Sequence, residues 1–282
     1  MSLTVLGVVG FVAHGLDETV VNLKNFQARQ LAESGLAIGL HPRVEPGDPV
    51  LNQELPNGDK IAVRITPEDG RLPINAMLER QQTVALSELF VRWGLPEEDA
   101  ATLSDSLADW VDRNRTPRIN GAENDYYAEQ GYVHYPRNQP FSSLEEMLAV
   151  RGMDKLVLIK PDWRDYFTIY GSGLLNINGA SADAIETMLE VSPDQAQAVV
   201  EYRNGPDGIA DTEDDVLFRN LDQVRAVLGV MQNNPRFSWL TVESKVLRVE
   251  SRGTAGGNTR RVSVVAEPVP GKRPVILISM ED

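Results

Sequence analysis

Acidic side chains are concentrated in one short loop of the second half of this sequence. Residues 204–215 read N-G-P-D-G-I-A-D-T-E-D-D, with five carboxylates within nine positions. A hard cation such as Ca²⁺ takes about six to eight oxygen ligands, from carboxylates and loop carbonyls. We therefore expect structural calcium here, and the candidate ligands are Asp207, Asp211, Thr212, Glu213, Asp214 and Asp215. The alternative is a solvated acidic loop held open by repulsion between like charges.

A second, weaker group of carboxylates lies in the first half of the chain. Asp109 and Asp112 are three residues apart, so both can lie on one face of a helix, and Glu123 and Asp125 follow in a loop. These four residues are a second candidate calcium site. The favoured alternative is pairing with the nearby arginines, which are Arg113, Arg115 and Arg118. A hydrolase that uses a pair of these carboxylates also stays open.

The parts needed for most other catalytic chemistry are missing from the sequence. There is no cysteine, which excludes thiolate nucleophiles, thiolate metal sites and disulfides. The three histidines, His14, His41 and His134, are far apart in the sequence and do not form a zinc-binding spacing. We therefore expect no catalytic residues, no enzymatic activity and no small-molecule substrate.

The overall charge argues against a nucleic-acid partner. The chain carries 41 acidic and 27 basic residues and a net charge of −14, and no basic run is longer than Arg260-Arg261. Such a surface repels phosphate backbones. One segment nevertheless resembles a helix-hairpin-helix module, with an L-N-I-N start at residues 175–178. Its hairpin, residues 189–193, lacks glycine and contains Glu190, which would oppose a phosphate. A DNA-binding protein is kept as the alternative.

The N-terminal region predicts one long helix over residues 3–40, ended by a run of prolines that begins at Pro42. Residues 3–16 are apolar and uncharged, which fits either a core element or the second half of a membrane-inserted helix whose first half is absent. The following residues continue at helical spacing. We expect one face of this part of the helix to bind a protein partner, through Val20, Leu23, Phe26, Gln27 and Leu31.

Strand patterns occur at both ends of the chain. Residues 50–55 and 60–66 flank an Asn57-Gly58 turn, which is a strong hairpin signal. Residues 239–250, 259–267 and 274–280 are rich in Val, Leu, Ile and Thr. These segments predict one antiparallel sheet completed by strands from both ends.

Residues 71–237, between these strands, read as mostly helical and contain an internal duplication. The motif L-P-I-N at residues 72–75 recurs as L-N-I-N at residues 175–178, and each copy continues into two helices joined by a proline turn. Each copy closes with a matched unit that starts at Phe141 or Phe218. The predicted fold is α+β: residues 1–70 and 238–282 form a helix on an antiparallel sheet, with a large helical domain, residues 71–237, inserted between the strands.

Several motifs together resemble a known family. Residues 27–36, Q-A-R-Q-L-A-E-S-G-L, are similar to an A-R-x-L-A-E-x-G signature; residues 109–112 and 121–127 match D-W-x-D and G-A-E-D-x-Y-Y elements, with Asn124 in place of the acid. Residues 138–141 fit N-x-P-F, and residues 175–180 fit L-N-I-N-T-A with Gly179 in place of Thr. In this order they resemble the general secretion pathway protein K family, the large minor pseudopilins of type II secretion.

The resemblance implies properties that composition does not show. The fold would be a pilin-like unit with a helical insert. The protein would cap the tip of the type II secretion pseudopilus together with two other minor pseudopilins, the I and J types. The resemblance also implies calcium in the helical domain. It further implies anchoring in the inner membrane through the N-terminal helix, with the globular part in the periplasm.

Overall fold

The computed structural model describes residues 2–210, 212, 214–229, 234–269, 272 and 274–281. The chain divides into two compact units. The first contains Met1–Thr66 and Val246–Asp282, and the second contains Pro67–Lys245. The second unit is thus inserted in sequence between strands of the first, with boundaries at residues 67 and 245 where the sequence suggested 71 and 237.

Helices and strands follow one another in runs along the chain. The α-helices are α1 Ser2–Gly39, α2 Ile74–Glu79, α3 Thr83–Arg92, α4 Glu97–Val111, α5 Asn124–Glu129, α6 Met153–Ile159, α7 Ala182–Leu189, α8 Pro193–Arg203 and α9 Leu221–Leu228. The strands are β1 Asn52–Glu54, β2 Lys60–Pro67, β3 Leu72–Pro73, β4 Phe167–Thr168, β5 Leu175–Asn176, β6 Leu240–Thr241, β7 Leu247–Ala255, β8 Asn258–Glu267 and β9 Val275–Glu281. None of the helices, over the residues described, is long and apolar enough to cross a membrane.

The first unit is a long helix on a five-stranded sheet. The strand order is β1-β2-β7-β8-β9, and the ladders β1–β2, β7–β8 and β8–β9 are antiparallel. In β2, Ile61, Val63 and Ile65 alternate with exposed residues and are buried in the sheet's core. This confirms the predicted mixture of a long N-terminal helix and an antiparallel sheet built from both ends of the chain.

Small residues form the face of α1 that contacts the sheet. Ala28 and Ala32 are fully buried. A Cβ on Gly35 would lie 2.1 Å from Ser251 Oγ, and a Cβ on Gly253 of β7 would lie 2.0 Å from the Ala28 carbonyl oxygen. Helix and strand therefore approach more closely than side chains of ordinary size would permit.

The second unit repeats one arrangement twice. In the first copy β3 pairs in parallel with β4, and in the second copy β5 pairs in parallel with β6. The Asn75 side chain accepts a hydrogen bond from Phe141 N at 2.8 Å and donates to Phe141 O at 3.0 Å. Asn178 does the same with Phe218, at 2.8 and 2.9 Å. The duplication seen in the sequence is thus repeated in the hydrogen bonding.

One continuous hydrophobic core fills the second unit. Its largest fully buried side chains include Trp110, Trp163, Phe90 and Phe167. Each copy contains a pair of packed helices, α3 on α4 in the first and α7 on α8 in the second. A loop follows the second helix of each pair. These segments, residues 112–140 with α5 inside them and residues 204–217, carry the candidate acidic side chains except Asp109, which lies on α4.

Candidate functional site

The acidic loop of the second copy starts from a firmly held helix end. Arg203, the last residue of α8, donates from Nη1 to the carbonyl oxygens of Ile177 and Ala180, both at 2.9 Å. Its own carbonyl accepts from Val216 N at 2.8 Å, which closes the base of the loop. Asp207 and Asp214, between these points, are therefore held on a short closed loop.

Within the loop, the carboxylates accept hydrogen bonds from neutral donors. Asp214 Oδ2 accepts from Asp207 N at 3.0 Å, and Asp214 Oδ1 accepts from Thr212 Oγ1 at 2.7 Å. Asp207 Oδ1 accepts from Ile209 N at 2.7 Å. The hydrogen bonds from Thr212 and from the Asp207 backbone hold the pKa of Asp214 below its usual range, so this carboxylate stays ionised. Among the residues that the structure describes, neither Asp207 nor Asp214 forms an ion pair.

Oxygen atoms are crowded at the first turn of this loop. Gly205 has a φ of +66°, and a Cβ there would lie 2.3 Å from the Asp214 carbonyl oxygen and 2.8 Å from Asp214 Oδ2. The side-chain oxygen Oδ1 of Asn204 is buried and accepts no hydrogen bond from any residue described. Carboxylate, carbonyl and amide oxygens are the donor set that Ca²⁺ prefers, so these residues fit the expected cation.

The complete set of predicted ligands extends beyond what the structure describes. Asp211 and Glu213 lie outside the described residues. Over the part of the chain that is described, no three His, Asp or Glu side chains are grouped closely enough to hold a metal ion by themselves. Asp207 and Asp214 alone could therefore not hold calcium. A site in this loop would also need backbone and amide oxygens, or the carboxylates of Asp211 and Glu213.

The first copy differs from the second in that an arginine, Arg118, lies between two of its carboxylates. Asp109 is fully buried near the end of α4, and its Oδ1 lies 2.7 Å from Arg118 Nη1. Asp112 Oδ2 lies 2.7 Å from the same nitrogen. Asp109 Oδ2 also accepts from Arg118 N at 3.1 Å. Asp109 and Asp112 therefore pair with an arginine, as the favoured alternative from the sequence predicted.

Glu123 is a buried carboxyl beside this cluster. Neither of its oxygens makes a hydrogen bond of normal geometry with a residue described, although only 5% of the residue is exposed. Burial, followed by the nearby charges of Asp109 and Asp112, raises the pKa of Glu123 to about 7. Asp125 is exposed in the first turn of α5. The four predicted residues therefore do not share one environment.

Asp105 is a further acid in this region that the sequence did not single out. Its Oδ2 accepts from both the backbone N and the Nδ2 of Asn120, at 3.1 Å each. Asp105 is four residues before Asp109 on α4, which is the spacing that places both on one helix face. That spacing was the available signal. Together the acids of α4 fasten the 118–121 turn to the helix.

In the segment whose sequence resembles a helix-hairpin-helix module, the N-terminus of α8 is capped by the chain's own side chains. At the N-terminus of α8, Ser192 Oγ accepts from Gln195 N, and Gln195 Oε1 accepts from Ser192 N at 3.1 Å. This capping box uses the backbone N–H groups that would otherwise face a phosphate. Glu190 occupies the left-handed turn before it, with a φ of +52°.

A cavity of about 520 Å³ opens near the first acidic cluster. It is lined by Asp112 and Arg118 but not by Asp109 or Glu123. A hydrolase with two carboxylates needs both of them to face one substrate. The cavity does not bring two of the predicted acids together in that way.

The predicted partner face of α1 is divided between two environments. Leu23 and Phe26 are 54% and 60% exposed. Gln27 is partly buried, and its Oε1 accepts from Lys24 Nζ at 3.1 Å. Leu31 packs against the sheet core of its own unit. The side chain of Val20 lies outside the described residues. Val21 is also exposed, but it is two residues before Leu23 and so lies on another side of the helix.

Comparisons with known proteins agree with the family indicated by the motifs. Residues 70–160 match the family model of the type II secretion system protein K. Type II secretion system protein K of Pseudomonas aeruginosa is 27% identical over 176 residues, which cover 59% of this chain and 51% of that protein. The Klebsiella pneumoniae protein of the same name is 28% identical over 159 residues, or 49% of each chain. The chain thus spans about half the length of these relatives.

A solved structure has the same fold. The crystal structure of the GspK-GspI-GspJ complex from the enterotoxigenic Escherichia coli type 2 secretion system contains a chain that matches with a TM-score of 0.66 and 18% sequence identity. The match covers 94% of this chain and 99% of that chain. The α+β fold is thereby confirmed, while the resemblance to protein K is confirmed by the family model and the two relatives.

Proposed function

We propose that this chain is a structural minor pseudopilin that caps the tip of a type II secretion pseudopilus, joined there to other minor pseudopilins of the I and J types. The observation that carries the proposal is the match of residues 70–160 to the protein K family model. The likeness in fold to a chain from a GspK-GspI-GspJ complex supports it. The size of the second unit, Pro67–Lys245, supports a terminal position, because so large an insert would block the addition of a further subunit above it.

Assembly would use the exposed side of α1. Leu23 and Phe26, three residues apart, present apolar side chains to solvent from one face of a helix whose opposite face is already committed to the sheet. Amphipathic helices bind partners by burying such residues in a groove or against another helix. We propose this two-residue patch, Leu23 and Phe26, as the contact with neighbouring pseudopilin helices.

Calcium would have a structural role in the second unit. Asp207, Asp214 and the neighbouring loop oxygens would hold the ion, with Asn204 Oδ1 as an additional donor. The bound cation would neutralise carboxylates that repel one another and would stabilise the closed loop. No catalytic role is proposed for it, and none for the first cluster, where Arg118 already compensates Asp109 and Asp112.

The location follows from the same proposal. A pseudopilin of this kind would be held at the inner membrane by its N-terminal helix and would expose both compact units to the periplasm. Interactions with secreted proteins would then be made by surfaces, without chemical change to the partner. The net charge of −14 fits such a role and disfavours nucleic acid as a partner.

The direct test is complex formation. The chain, produced with the I and J type pseudopilins of the same system, is expected to co-purify with both as one complex of fixed stoichiometry. Leu23→Asp together with Phe26→Asp is expected to abolish the complex, whereas Val84→Asp, at an exposed apolar position of α3, is expected to leave it intact. Failure of the unaltered chain to bind either protein would refute the assignment.

A further inference from the structure

The two edges of the five-stranded sheet are protected very differently. The β1 edge is three residues long and polar, and Glu54 at its end pairs with Lys60 Nζ at 3.3 Å. Short strands and charged side chains are the usual means of preventing edge-to-edge association. This edge is therefore closed to further strand pairing.

The opposite edge, β9, has neither protection. It is seven residues long, and no strand in the described part of the chain pairs with its outer side. Val275 and Ile276 are 53% and 54% exposed, and Leu277 follows at 39%. Three consecutive exposed apolar residues on an unpaired strand form a template for another strand.

The β9 strand is irregular at one point only along its described ladder. Ala266 pairs with Ile276 and Val265 pairs with Ile278, so Leu277 is the extra residue of a β-bulge. A bulge bends the strand and increases its twist. It restricts which strands and registers can pair, so we expect one specific partner strand instead of open-ended aggregation.

The sequence around β9 is complementary to itself in one orientation. Lys272 precedes the strand and Glu281 is its last residue, and their neighbours in the sequence, Arg273 and Asp282, carry charges of the same sign as theirs. If two copies of β9 align antiparallel, the basic end of each meets the acidic end of the other; parallel alignment would bring like charges together. Antiparallel pairing about a two-fold axis is also the isologous contact that closes as a dimer.

We propose that β9 is a self-association edge, through which two copies of this chain pair antiparallel and continue the sheet across a two-fold axis. A seven-residue strand buries far less surface than the roughly 1,600 Å² of a standard interface. The dimer is therefore weak and depends on concentration. This contact is separate from the α1 patch and does not depend on the proposed pseudopilin function.

The test is sedimentation equilibrium of the whole chain over the full range of soluble concentrations. A monomer–dimer equilibrium is expected. Leu277→Lys is expected to weaken the dimer by about tenfold or more, because two like charges then approach across the axis. Val84→Lys, at a residue of α3 that is 68% exposed, is the matched control and is expected to have no effect. Circular dichroism melts of both variants check that the fold is retained.

The orientation can be tested separately, because the chain has no native cysteine. Single substitutions Val275→Cys, Leu277→Cys and Ser279→Cys are expected to give a disulfide-linked dimer at the position nearest the axis and little at the others. A chain that stays monomeric at every concentration would overturn the proposal. Disulfide cross-linking of the β9 variants that is no stronger than that of Val84→Cys would also overturn it. The same holds if β9 binds only a different pseudopilin.

Discussion

The two copies within the second unit hold their acidic loops in contrasting ways. In the first copy, Arg118 lies between Asp109 and Asp112 and joins both carboxylates with one nitrogen. In the second copy, Asp207 and Asp214 face backbone N–H groups and a threonine hydroxyl, in a loop rich in oxygen donors. Each loop nonetheless follows the second helix of its copy.

The difference shows that a repeated scaffold does not determine the chemistry of its loops. The Asn–Phe hydrogen bonds that fix the two copies are the same in type and nearly the same in length. What differs is the source of positive charge: a side chain of the protein in one copy and, by our proposal, a cation from solution in the other. The dependence of each copy on its own source of positive charge can be tested.

The largest effect is expected from removing the arginine of the first copy. Arg118→Ala leaves Asp109 buried without its charged partner, and we expect the free energy of unfolding to fall by about 4 kcal/mol. Urea unfolding measures it. Lys155→Ala is the control, because Lys155 is half exposed and pairs with Asp99 on the surface; its loss is expected to lower the free energy of unfolding far less than the loss of Arg118. Equal losses in the two variants would show that Arg118 does not hold the first copy together.

The shared asparagines give the next largest effect. Asn75→Ala leaves the backbone N–H and carbonyl of Phe141 without partners, at an expected cost of about 2 kcal/mol. Asn178→Ala removes the same pair at Phe218 and also the bond to Val242 O, so about 3 kcal/mol is expected. Denaturant titrations decide the order. A reversed order would mean that the two copies are less alike than their hydrogen bonds indicate.

The buried carboxyl of Glu123, in the first copy, is expected to make the stability of the fold depend on pH. Its pKa is about 7 in the folded chain against a usual 4.5. Between these values the folded chain keeps a proton that the unfolded chain releases, so this contribution to stability is full below about pH 4.5 and is lost as the pH rises through 7. Glu123→Gln is expected to remove this dependence and to be more stable than the unaltered chain at pH 8 by about 2 kcal/mol. Parallel pH profiles for the two proteins would refute the assignment.

The smallest effect is expected from calcium. Adding Ca²⁺ at about ten times its Kd to chelator-treated protein should stabilise it by about 1.4 kcal/mol, seen as a higher melting temperature. Asp214→Asn is expected to abolish the shift, and Asp112→Asn, in the copy that has its own arginine, is expected to retain it. An unchanged melting temperature in the unaltered chain would end the calcium proposal.

Much of the architecture was predictable because it depends on long patterns. The helix expected over residues 3–40 is α1, Ser2–Gly39, and the Asn57-Gly58 turn joins β1 to β2 as its residue types indicate. The duplication was visible in the spacing of L-P-I-N and L-N-I-N. The strands β3 to β6 were not predictable, because each has two residues and is specified only by a partner distant in sequence.

The candidate site was less predictable than the fold. Composition identified both acidic loops, but it does not show that Arg118 serves two carboxylates or that Glu123 is buried without ordinary partners. Such details depend on how the loop folds back on α4. On α1, spacing selected Leu31 and Leu23 together, although the narrow face of small residues turns Leu31 inward and Leu23 outward.

The close fit between α1 and β7 has a mechanical consequence. Gly35 lies against Ser251, and Gly253 lies against the backbone of Ala28, so neither element can slide past the other without atoms colliding. A force applied along the helix axis is therefore carried into the sheet as shear, spread over several contacts at once. Ladder hydrogen bonds such as those between β7 and β8 then share the load instead of opening one at a time.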